Sequence, residues 1–131
     1  MAGGVGHLIL IVEDEPLIRL ALSEYLQGCG YDVIEAPSAD HATEILSTKP
    51  EIELVMTDVR MPGTMDGFAL ARWVRENGLD IPVIICSGNS NKAEAAERLC
   101  AKEPFLAKPY DLEAAAAQIR EALNRKSAVA L

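Results

Sequence analysis

An α/β fold is predicted for this chain: a doubly wound, five-stranded parallel sheet with helices on both faces. Three observations predict it. Apolar, strand-like runs alternate with helical patterns five times along the sequence. The first, third and fourth runs are continuous in Val, Ile and Leu rather than alternating, as in strands covered by helices on both faces. Four of the runs end in polar side chains just before loops: Glu13-Asp14, Asp58, Ser87 and Lys108-Pro109. In an open parallel sheet the chemistry gathers at the carboxyl ends of the strands, so these residues are expected to converge.

The elements follow in order. His7–Glu13 reads as the first strand. Pro16 suits the first turn of a helix, where its missing N–H costs nothing. Leu17, Leu20, Ala21, Tyr25 and Leu26 continue at helical spacing, and Gly28 and Gly30 stop the helix. Tyr31–Glu35 is a short second strand. Ser38 is expected to cap a helix through Ala42, Ile45 and Leu46, which stops before Pro50. Glu53–Asp58 is the third strand and Phe68–Glu76 the third helix, with Gly78 beyond it. Ile81–Ser87, a helix over Ala93–Ala101, and Pro104–Ala107 come next. Asp111 caps a last helix from Leu112 to about Arg125, with Leu112, Ala116, Ile119 and Leu123 as its core stripe. The domain is expected over residues 8–125, between tails at 1–7 and 126–131.

Bulk properties exclude several classes of function. The 131 residues are enough for one core. They are 50% hydrophobic but only 5% aromatic, so that core is aliphatic. A net charge of −8 argues against direct nucleic-acid binding, which needs a basic patch. No apolar run reaches membrane-spanning length, and the start lacks the basic segment of an export signal, so a cytoplasmic protein without membrane insertion is expected. Cys29, Cys86 and Cys100 are far apart and read as reduced, apolar residues. His7 and His41 read as isolated. The Gly3-Gly4-Val5-Gly6 run precedes a strand, so it cannot be a P-loop.

The polar strand ends suit a divalent cation plus a phosphoryl group. Three carboxylates placed together repel unless a cation neutralises them. Oxygen ligands alone favour Mg²⁺, or Mn²⁺ in its place. Asp14 reads as a direct ligand, Glu13 as a ligand through water, and Asp58 as both ligand and nucleophile. Lys108 would neutralise the phosphoryl oxygens, and Ser87 would donate a hydrogen bond to the phosphorylated Asp58. Asp66 and Gly67 read as shaping the loop and the start of the third helix.

These residues resemble the receiver domain of two-component response regulators, from Leu8 to about Leu123. The matching pieces are Val12-Glu13-Asp14-Glu15-Pro16, Thr57-Asp58-Val59-Arg60-Met61-Pro62, Met65-Asp66-Gly67, Ser87-Gly88 and Lys108-Pro109. The expected fold is then flavodoxin-like, with strand order 2-1-3-4-5. The resemblance implies that Asp58 takes a phosphoryl group from a phosphohistidine of a histidine kinase or histidine phosphotransfer protein. It implies the backbone carbonyl of Arg60 as a further metal ligand, and Ser87 and Phe105 as switch residues that reshape a surface for a downstream protein. The Pro62–Gly67 loop is one residue longer than the common family spacing, and the switch aromatic is Phe rather than Tyr. The expectation is a phosphoacceptor rather than an enzyme, with no output domain: a free-standing receiver or one belonging to a hybrid histidine kinase. A small Mg²⁺-dependent phosphatase with an aspartyl nucleophile is the alternative. Against it, Arg60 stands where a general acid two residues after the nucleophile is needed.

Overall fold

The computed structural model describes residues 6–87, 105–107 and 111–130, with side chains omitted at Ser87, Phe105, Ala107 and 126–130. The strands are β1 (Leu8–Val12), β2 (Asp32–Ala36), β3 (Ile52–Asp58), β4 (Val83–Ser87) and β5 (Phe105–Ala107). The helices are α1 (Pro16–Gly28), α2 (Ala39–Thr48), α3 (Gly67–Glu76) and α4 (Leu112–Ala130). All strand pairs are parallel, in the order β2-β1-β3-β4-β5. The expected fold class and strand order are therefore what the structure has. The helix expected over 93–101 lies outside the described residues.

Alternation along the strands divides the core in two. Leu10, Val12, Val55, Val83 and Ile85 face α2 and α3, with Leu46, Phe68, Leu70 and Val74 packed against them. Ile9, Ile11, Leu54, Met56, Ile84 and Cys86 face α1 and α4, with Leu22, Leu26, Ile119 and Leu123. Both faces of β1, β3 and β4 are thus buried, which is why those strands read as unbroken apolar runs. Side-chain caps start three helices. Ser38 Oγ accepts from the His41 N–H at 3.2 Å, Asp66 Oδ1 from the Ala69 N–H at 2.8 Å, and Asp111 Oδ1 from the Ala114 N–H at 2.6 Å.

Four expectations need correction. On α1 the inward residues are Leu22, Ser23 and Leu26, whereas Leu17, Leu20 and Ala21 face solvent. Leu26 and the half-buried Tyr25 pack as the helical spacing predicts, so the departure is confined to the first two turns. On α4, Ala115 and Ala122 are buried beside Ala116, Ile119 and Leu123, because small side chains let this helix sit close to the sheet. The same helix runs to Ala130 rather than ending near Arg125, since no Gly or Pro interrupts it. His7 is not isolated: its Nδ1 lies 3.0 Å from Glu53 Oε1. No helix among the described residues is long and apolar enough to cross a membrane.

Gly67 ties α3 to the sheet. Its N–H donates to the Val59 carbonyl at 2.8 Å. A Cβ at this position would overlap the Asp58 carbonyl oxygen and reach within 3.0 Å of Val59 Cα. Backbone, not a flexible side chain, occupies that space. Gly67→Ala is expected to destabilise the domain by about 1–3 kcal/mol. Chemical denaturation measures this, and an unchanged midpoint contradicts the contact.

Candidate functional site

Strand register builds the site. Val12 pairs with Thr57, so the next residue, Glu13, comes level with Asp58. Asp58 in turn pairs with Cys86, so Ser87 stands one step beyond Asp58 on the adjoining strand. Ser87 pairs with Ala107, the residue before Lys108. Lys108 itself lies outside the described residues, as do the side chains of Ser87 and Phe105. For these three, the structure supplies only the backbone placement of Ser87 at the end of β4 and Phe105 at the start of β5.

The structure brings the three acidic residues together. Glu13, Asp14 and Asp58 each present a carboxylate oxygen, and these oxygens lie within 4.8 Å of one another. Glu13 and Asp58 are buried, at 3% and 7% exposure, while Asp14 faces solvent. Two buried carboxylates this close repel by roughly 3–4 kcal/mol at an effective dielectric of about 20. A divalent cation relieves that repulsion. Hard oxygen donors with no Cys or His in the cluster match Mg²⁺, which prefers carboxylates and water.

The surroundings hold this cluster in place. Glu13 continues the β1 ladder through its N–H to the Ala36 carbonyl at 3.0 Å. Its Oε2 accepts from the Glu15 N–H at 3.0 Å. Arg19, on α1, donates to the Glu13 carbonyl at 2.8 Å and to Glu35 Oε1 at 3.1 Å. Thr57 is buried beside Asp58, and its hydroxyl donates to the Asp58 carbonyl at 2.9 Å. Asp58 is therefore braced through its own backbone and by Gly67.

The loop after β3 carries Arg60, whose side chain is exposed. Its tip is fastened to α2. The Thr64 N–H donates to Asp40 Oδ2 at 3.0 Å and the Thr64 hydroxyl to Asp40 Oδ1 at 2.7 Å. Gly63 has φ of 110°, and a Cβ there would overlap Asp40 Oδ2. The Thr64 hydroxyl, and secondly its N–H, hold the Asp40 carboxyl below its ordinary value of 3.8. Arg19, Asp40 and Thr64 were not singled out from sequence. An arginine among the apolar residues of α1 was the available hint for Arg19. The pairing of Asp40 with Thr64, 24 residues apart, left no local signal.

The chain matches the family model described as response regulator receiver domain over residues 9–120. Among curated proteins it is 38% identical over 120 residues to sensor kinase CckA of Brucella abortus, covering 90% of this chain and 13% of that protein. It is 36% identical over 107 residues to the uncharacterized transcriptional regulatory protein YbdJ of Bacillus subtilis, covering 81% of this chain and 46% of that protein. The chain thus spans less than half the length of either relative. Among solved structures it resembles a response regulator receiver protein from Sinorhizobium medicae, with a TM-score of 0.83, 27% identity, and coverage of 96% of this chain and 99% of that one. It also resembles the receiver domain of the hybrid histidine kinase CckA, with a TM-score of 0.74, 32% identity, and coverage of 88% and 98%. TrrA of Thermotoga maritima, solved with Mg²⁺ and BeF, gives 0.76 and 27%, with coverage of 88% and 98%.

A depressed carboxyl pKa adds stability above the unfolded value, and that stability is lost as pH falls through the folded value. The Asp40 carboxyl is therefore expected to titrate below 3.8 and to move back toward it in Thr64→Val. Carboxyl-carbon NMR titration measures both, and equal midpoints contradict the pairing.

Proposed function

The chain belongs to the response regulator receiver domain family, and on that premise we propose that it is a phosphoacceptor whose nucleophile is Asp58. Receivers of this family are parts of two-component systems, found in hybrid kinases and in response regulators, and they work with histidine kinases or phosphotransfer proteins. The observation that carries the reading is the carboxylate cluster of Glu13, Asp14 and Asp58 at two neighbouring strand ends.

In this reading, an Asp58 oxygen attacks the phosphorus of a phosphohistidine. The new O–P bond forms as the P–N bond breaks, and the departing imidazole keeps the electron pair and takes a proton. Asp14 and Asp58 would hold Mg²⁺ directly with the Arg60 carbonyl, and Glu13 would hold it through water. When bound, Mg²⁺ would supply charge neutralisation between the Asp58 carboxylate and the incoming phosphoryl group. Lys108 neutralises a phosphoryl oxygen, and Ser87 donates its hydroxyl to the phosphorylated Asp58. Movement of Ser87 opens space for Phe105 to turn inward, which shifts a pre-existing equilibrium toward the signalling surface.

A protein phosphodonor is supported by α1, which begins two residues after Asp14. Leu17 is 81% exposed, Ile18 40% and Leu20 48%. Large exposed apolar side chains in the first turns of the helix that follows Asp14 suit docking of another protein.

Asp58→Asn is expected to abolish labelling by a small phosphodonor in Mg²⁺. Undiminished labelling of that variant removes Asp58 as the acceptor. Asp14→Ala is expected to weaken Mg²⁺ binding by about tenfold or more. Equal affinity by calorimetry takes Asp14 out of the metal shell.

A further inference from the structure

The loop from Arg60 to Asp66 is fixed at both ends and at one point between. At its base, Gly67 packs on the Asp58 carbonyl and donates to Val59. In its first half, the Met61 side chain packs against the core shared with α2 and α3. At its tip, Thr64 makes two hydrogen bonds to one carboxylate, that of Asp40 in the first turn of α2. Gly63 permits this approach, because any side chain there would meet the same carboxylate. Arg60 lies between the base and Met61, so its peptide is held by contacts on either side.

We propose that Asp40 and Thr64 are positioning residues for the cation site, fastening the loop so that the Arg60 carbonyl stays in place. The inference rests on the phosphoacceptor reading above and adds two residues far from the carboxylate cluster in sequence. A loop with its tip released samples more conformations. Each must be given up when the cation binds, and that cost falls on metal affinity. Once the cation is bound, the reacting groups occupy the same positions, so transfer at saturating Mg²⁺ is preserved. Such a split separates a positioning role from a general structural one.

Three proteins test this side by side: wild type, Thr64→Val and Thr64→Ser. Each is measured for Mg²⁺ affinity by calorimetry, for labelling rate by a small phosphodonor at saturating Mg²⁺, and for thermal midpoint in chelator. Thr64→Val removes the hydroxyl while keeping shape and the backbone N–H. It is expected to bind Mg²⁺ about fivefold more weakly, the scale of one hydrogen bond. Its labelling rate at saturating Mg²⁺ is expected to match wild type, and its midpoint in chelator to fall by no more than a few degrees, the contribution of one exposed hydrogen bond. Thr64→Ser is expected to restore affinity. Wild-type affinity in Thr64→Val overturns the proposal while leaving the phosphoacceptor reading intact. So does a loss of affinity accompanied by a matching loss of labelling rate at saturating Mg²⁺, which marks a structural role alone. A wild-type protein that neither binds Mg²⁺ nor becomes labelled overturns both.

Discussion

Mutual repulsion among three carboxylates is the constraint on which this domain turns. Parallel pairing of β1 with β3 sets Glu13 level with Asp58, and the chain turns into α1 immediately after Asp14. Nothing in the hydrophobic packing asks for acidic groups there. Glu13 and Asp58 are buried side by side with Asp14 at their edge, an arrangement that a cation would stabilise.

Several otherwise unrelated features serve that arrangement. Both faces of the central strands are packed with aliphatic side chains, so the strand ends cannot slide relative to one another. Arg19 reaches over to the Glu13 carbonyl and ties it to β2 through Glu35. The Thr57 hydroxyl and Gly67 meet at the Asp58 carbonyl, one as donor and one as a gap into which no side chain fits. These contacts hold backbone rather than carboxylate oxygens.

Much of this was legible in the sequence because it is local or periodic. Unbroken apolar runs marked doubly covered strands, and Ser38, Asp66 and Asp111 each stand next to the helix they start. The convergence of Glu13, Asp14 and Asp58 followed from one rule about strand ends in parallel sheets. Less legible was whatever depends on which of two apolar stripes a helix buries. On α1, Leu17 and Leu20 match the helical period as well as Leu22 and Leu26 do, yet only the latter pair is inside. The Asp40–Thr64 pairing was illegible for a different reason. It joins two loop-proximal polar residues whose meeting depends on the path of the whole β3–α3 connection.

A crystal structure with Mg²⁺ and beryllofluoride, a mimic of the phosphoryl group, tests the central claim most directly. The account predicts the fluoride adduct on an Asp58 carboxylate oxygen, with Mg²⁺ held by Asp14, Asp58 and the Arg60 carbonyl. An adduct on another side chain, or Mg²⁺ bound away from these carboxylates, contradicts it.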